Sequence, residues 1–219
     1  MSVRQGFEEE LFALKNLVLE MGTRAANALH ESVEALVAQD IDRALKVIDK
    51  DYKINRIDQE INEKVIWLIA KQQPVASDLR RIISSIKIST DLERIGDLAV
   101  NIAKSTIRIG EKELFKPLYD IPLMAEKAAS MLNQVMLAYD VQDEDKARET
   151  AELDNEIDEM YGRLILELLE YIAKNPEVTS QVTQLSFVCR DLERVGDHVT
   201  NISENIVFMV KGQLYDLNS

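Results

Sequence analysis

Two short stretches hold most of the side chains that could do chemistry. One reads Asp91-Leu92-Glu93-Arg94-Ile95-Gly96-Asp97, the other Asp191-Leu192-Glu193-Arg194-Val195-Gly196-Asp197, starting 100 residues later. They differ only at Ile95 and Val195, and the match continues into Asn101-Ile102 and Asn201-Ile202. Agreement of this length at a fixed offset marks an internal duplication. Glu93, Asp97 and Asn101 stand at i, i+4 and i+8, as do Glu193, Asp197 and Asn201, which stacks them along one face of a helix. Carboxylates four residues apart repel, at about a few tenths of a kcal/mol. A chain that repeats this pairing is expected to meet positive charge there. Rows of oxygen donors suit hard cations, so Mg, Mn, Ca or Fe is the chemistry to expect. The plain alternative is a solvated face whose acids pair with Arg94 and Arg194, pairs that contribute little when exposed.

Donors from one helix hold an aqueous divalent ion weakly, and a second set recurs upstream. Asp51-x-x-Ile54-Asn55 matches Asp154-x-x-Ile157-Asp158 at an offset of 103. If neighbouring helices bring the sets together, Glu93, Asp97 and Asn101 with Asp51 and Asn55 form one shell. Glu193, Asp197 and Asn201 with Asp154 and Asp158 form the other, each of about six oxygens.

Helices must position these groups. Only 7 Gly and 4 Pro interrupt a chain rich in Ala, Leu, Glu and Lys, so the class is all-α. Apolar periodicity predicts helices over residues 7–39, 41–72 and 74–109, with Asp40 as an N-cap, Pro74 in a first turn and Gly110 as a C-cap. Residues 116–122 form a hinge. Three more helices are expected over 123–139, 143–174 and 176–210. The halves are thus residues 1–113 and 114–219, each a helix triplet. On the third helix of each half, Leu92, Ile95, Ala99 and Ile102, or Leu192, Val195, Val199 and Ile202, make a continuous apolar stripe. The other side turns from apolar (Leu79, Ile82, Ile86; Leu185, Cys189) to acidic partway along, which predicts a partly sheltered acidic surface.

Composition narrows the function. The formal net charge of −13 disfavours nucleic acid and anionic membrane surfaces as partners and favours cations or a basic protein surface. One cysteine, Cys189, excludes an intrachain disulfide and is compatible with a reducing compartment. The N-terminal residues lack the apolar region of a signal peptide, and the longest apolar run, Val65–Ala70, is too short to span a bilayer, so a cytoplasmic location is expected. Gly96 and Gly196, each costing about 1 kcal/mol in a helix interior, point to close helix approach or ligand access. Trp67 and Cys189 are expected in the core and His198 at the surface. No Gly-rich phosphate loop or Cys-x-x-Cys signature is present, and no catalytic residue is assigned.

The duplicated heptad, the connector Lys71-Gln72-Gln73-Pro74-Val75-Ala76-Ser77-Asp78-Leu79-Arg80 and the ending Val210-Lys211-Gly212 resemble the PhoU family, accessory and regulatory proteins of bacterial phosphate transport, over nearly the whole chain. The resemblance implies two tandem antiparallel three-helix bundles related by a pseudo-twofold axis, often paired into homodimers. It implies iron, zinc, manganese or magnesium on the acidic faces, held by the two residue sets above. Asn55 departs from the acidic Asp158 of the other half, so the first site is expected to be weaker or to use Asp58. It also implies contacts with the ATPase of a phosphate ABC transporter and with a sensor histidine kinase, without membrane insertion or nucleic acid. The competing readings are a metal-free helical interaction scaffold and a carboxylate-bridged di-metal oxidase. The oxidase is disfavoured because no Glu-x-x-His occurs.

Overall fold

The apolar positions recur at helical spacing over almost the whole length, and the backbone follows them. The structure, a computed structural model, describes residues 3–116 and 118–217, so Pro117 of the expected hinge lies outside the described residues. Among these, α1 (Val3–Ala38), α2 (Ile41–Lys50), α3 (Tyr52–Gln72) and α4 (Ala76–Ile109) form the first half. The second half comprises α5 (Asp120–Val141), α6 (Glu144–Glu152), α7 (Asp154–Lys174) and, after a short 3-10 turn at Pro176–Val178, α8 (Thr179–Lys211). No strand occurs among the described residues.

The caps explain the boundaries. Asp40 accepts the backbone N–H of Arg43, and Asp143 that of Lys146, so α2 and α6 start identically. Gly110 ends α4 at φ +72°, as expected. Pro74 does not enter the third helix: Gln73 sits in the left-handed region and the helix starts only at Ala76.

Each second helix, expected to be continuous, is interrupted, after Lys50 and after Glu152. The cause lies in the apolar stripe. Ala44 and Val47, then Ile54, Ile57, Ile61, Val65 and Leu68, are the buried positions of α2 and α3. Helical stepping from Val47 makes residue 51 the next inward position, and the chain has Asp there. In the other half Ala147 and Ala151 are followed at the inward position by Asp154. A carboxylate facing a core costs several kcal/mol of desolvation. At the breaks the backbone N–H groups of Asp51 and Leu153 bond three residues back, to Ile48 and Thr150, and the ladder re-aims.

The core is shared. One apolar cluster runs from Leu14 of α1 to Met209 of α8, drawing on both halves. The third helices, α4 and α8, pack against each other, with Asp91 of α4 meeting His198 and Asn201 of α8 and the Lys87 ammonium lying over the Phe208 ring. Cys189 is fully buried, as expected. Trp67 is a correction: it lies on the exposed outer side of α3, with the Lys71 ammonium 5.1 Å from its ring. Its neighbours Val65 and Leu68 take the inward positions instead. Among the described residues no helix is long and apolar enough to cross a membrane.

Because the core spans both halves, they should unfold together. Leu192→Ala, a fully buried truncation in the second half, is expected to cost about 2–5 kcal/mol. It should shift the urea midpoint of Trp67 fluorescence, which reports on the first half, by the same amount as the midpoint from far-UV circular dichroism.

Candidate metal centre

Re-aimed by the breaks, the two inward acids meet the glycines of the third helices. A Cβ placed on Gly196 would stand 2.1 Å from Asp154 Oδ1 and 3.2 Å from its Cγ. One placed on Gly96 would stand 2.9 Å from the Ile54 Cδ1 atom and 3.5 Å from Asp51 Oδ1. Each glycine therefore opens the space through which a carboxylate of the second helix reaches the third. Glu93 and Asp97 flank Gly96, and Glu193 and Asp197 flank Gly196, so the acids of the second and third helices lie along one seam in each half, close enough to raise one another's pKa.

The second half holds the more strained cluster. Asp154 is buried, accepts a hydrogen bond from the buried Thr200 hydroxyl at 3.1 Å through Oδ2, and leaves Oδ1 buried with no partner. Burial raises its pKa to about 6, against the Thr200 bond, and the Asp158 and Asp197 charges push further the same way. Burial likewise raises Glu193 to about 6, helped by Asp197, Asp158 and Asp154. Asp158 is raised by burial and by Asp197. Among the described residues none of these four acids has an ion-pair partner.

The first half is more relaxed. Asn55 donates to Asp51 Oδ2 at 2.9 Å, and Arg94 lies 3.5 Å from Glu93 and 3.1 Å from Asp97. Burial still raises Asp51 and Glu93, with Asp97 adding to both, while Lys104 draws Asp51 back down. Asp58 is drawn in as well: it accepts from Ser89 of α4 at 2.7 Å, and its charge raises Glu93.

Two predicted donors take other positions. Asn101 is exposed on α4. Asn201 turns across the pseudo-twofold and donates to Asp91 Oδ1 at 3.3 Å. His198, expected at the surface, is half-buried at the same place, with Nδ1 2.9 Å from Asp91 Oδ1. Asp91 and its mate Asp191, the first residues of the duplicated heptad, lie outside the expected donor sets. The duplication puts Leu98 where the second half has His198, and Asp191 is buried with Oδ1 unpartnered, Arg190 approaching only to 3.5 Å. Thr200 also went unassigned, since its counterpart is Val100.

Among the described residues no three carboxylate, imidazole or thiol groups are gathered into a ready ligand shell. The donor chemistry nonetheless fits a hard cation: carboxylates that repel one another, no ion pair to Asp154, Asp158, Glu193 or Asp197 among the described residues, and an orphaned buried oxygen on Asp154.

Comparison with known proteins matches the PhoU domain family model over residues 18–106 and 121–206. A phosphate-specific transport system accessory protein PhoU homolog of Clostridium acetobutylicum is 40% identical over 216 residues, covering 98% of this chain and 99% of that protein. Its namesake in Rhizobium meliloti is 40% identical over 211 residues, covering 96% and 89%. Among solved structures, the phosphate transport system regulatory protein PhoU of Streptococcus pneumoniae superposes with TM-score 0.90 at 30% identity over 96% of this chain and 99% of that one. PhoU of Pseudomonas aeruginosa gives TM-score 0.91 at 33% identity over 94% and 100%.

Two expectations follow. Asp154 and Glu193 have folded-state pKa values of about 6 against 3.8 and 4.5 for the free groups. The folded form therefore binds protons more tightly than the unfolded one. The resulting stabilisation is complete below about pH 4 and is lost as pH rises through about 6. In chelator, the melting temperature should show this fall, and Asp154→Asn should flatten it; an unchanged slope would mean that Asp154 titrates like an exposed acid. Gly196→Ala should cost about 1–3 kcal/mol by urea unfolding, although alanine is favoured over glycine in helices by about 1 kcal/mol. Gly96→Ala should cost less, because the flexible end of Ile54 can yield.

Proposed function

The chain belongs to the PhoU family, and on that footing we propose that it regulates phosphate uptake and the phosphate-starvation two-component response without being an enzyme. It works in the cytoplasm, as a homodimer, by contact with the ATPase of a phosphate ABC transporter and with a sensor histidine kinase. It docks at the inner face of the membrane through the transporter and does not insert. Likeness over nearly the full length to proteins named as phosphate-transport accessory proteins is the observation that carries this reading. A net charge of −13 keeps nucleic acid out of the partner list and suits basic protein surfaces.

Within this reading the acidic faces hold iron, zinc, manganese or magnesium. Glu193, Asp197, Asp154 and Asp158 form the stronger site, with Asn201 released from Asp91 to join them. Glu93, Asp97, Asp51, Asn55 and Asn101 form the weaker one, because Arg94 and Asn55 already supply positive charge and a donor there. A bound cation neutralises the mutual repulsion of the acids and so changes the charge that the face presents to a partner. The second reading is a metal-free scaffold, and the Arg94 bridge between Glu93 and Asp97 favours it at the first site.

Pull-down with the transporter ATPase and the kinase is expected to recover both; recovery of neither would remove the regulatory reading. Elemental analysis of protein purified without chelator is expected to find bound cation. Asp154→Asn with Asp158→Asn should lose more of it than Asp51→Asn, and metal-free protein with intact partner binding would leave the scaffold reading standing.

A further inference from the structure

The second helix of each half carries a row that no site described so far uses to its end. On α3 and the break before it, Asp51, Asn55, Asp58, Asn62, Ile66 and Ile69 step by four, three, four, four and three residues. On α7, Asp154, Asp158, Tyr161, Ile165, Leu169 and Ile172 step identically, at the same offset of 103. At helical pitch each row stays on one face. Both begin with carboxylates beside the third helix and end in aliphatic side chains facing outward. Ile66 is 67% exposed, Ile69 36% and Leu169 56%.

The inward positions of the same helices, Val65 and Leu68 or Leu164 and Leu168, are separately filled; Ile66, Ile69 and Leu169 stay outside the apolar cluster, whereas Ile165 and Ile172 pack partly against it. In the first half, antiparallel α4 extends the pattern. Gly96 lies beside Asp51 and Ser89 bonds Asp58, so the N-terminal part of α4 runs beside the end of α3. There the row containing Glu93 and Asp97 continues back through Ile86 to Leu79, itself 36% exposed. Single exposed aliphatics need no explanation. A polar-to-apolar row kept in both copies, while Asp58 became Tyr161 and Asn62 became Ile165 or the reverse, does.

We propose that each seam, along α3–α4 and α7–α8, is a docking track for one amphipathic helix of a partner protein, with basic residues at one end and bulky aliphatic residues at the other. Charge selects this occupant. The carboxylate end is acidic, and among the described residues Asp154, Asp158, Glu193 and Asp197 form no ion pair, with Asp154 Oδ1 left unpartnered. A second copy of this chain presents the same negative sign at both seams and is repelled. The track from Asp51 to Ile69 is about 27 Å long, which matches about 18 residues of partner helix. Helix-in-groove recognition of this kind places aliphatic anchors at i, i+3 and i+4 and uses charge to fix direction. The inference deepens the contact-mediated reading above by naming the surface and the partner chemistry, and it needs no metal.

Two synthetic helical peptides of about 18 residues and identical composition provide the test. In one, lysines occupy one half and leucines the other; in the second they are interleaved. The segregated peptide is expected to bind at least about tenfold more tightly by calorimetry, a difference of about 1.4 kcal/mol. Ile66→Ser with Ile69→Ser should abolish binding at the first seam, and Leu169→Ser should weaken it at the second. All three sites are exposed, so folding is preserved, and circular dichroism melts verify this. Equal affinity for both peptides, or serine variants that bind like the parent, would overturn the docking track. A manganese titration of the same variants separates the two ideas. Serine variants that bind the segregated peptide like the parent and still bind manganese count against the track alone, whereas segregated-peptide binding without manganese binding counts against the metal alone.

Discussion

A carboxylate on the core side of a helix has to be taken out of the core, and both halves of this protein do it in the same way. The second helix is interrupted beside Asp51 and beside Asp154, and each acid is turned toward a glycine of the third helix. The interruption, the glycine and the flanking acids depend on one another. Without the glycine, the carboxylate would collide with a methyl group. Without the break, it would face leucines and isoleucines. The result is a buried or half-buried acid held among other acids, an arrangement that costs stability and persists where something else uses it.

The two halves have settled this tension differently. In the second, Thr200 supplies one hydrogen bond to Asp154, and Arg194 offsets Glu193 only at a distance, without an ion pair. In the first, where Val100 stands in place of Thr200, Asn55 takes over as donor and Arg94 bridges the two motif acids. Duplication thus supplied two similar scaffolds, and substitution around them tuned one toward compensation and the other toward retained negative charge.

The fold class, the helix triplets and the pairing of Asp51 and Asp154 with the heptad acids could be read from the sequence, because repeats and apolar periodicity are one-dimensional signals. The breaks were hidden because Asp51 and Leu153 keep right-handed helical backbone angles and no Gly or Pro marks them. The only clue was an acid at an inward position. Trp67 misled because bulk suggests burial, whereas its place on the helix faces away from the core. Asn201 and His198 were misplaced because their partner, Asp91, lies on the other half. Contacts across a pseudo-twofold leave no local spacing to read.

The continuous core has a consequence for how such a molecule arose. A lone triplet would leave its share of the common apolar cluster, and the side of its third helix that meets the other half, open to water. A single-triplet ancestor would therefore have folded only by pairing with an identical neighbour about a true twofold axis. Joining two such triplets in one chain would turn that contact between chains into the interior of one. A single chain also lifts the symmetry: Leu98 and His198 stand at equivalent places of the duplicated stretch and differ.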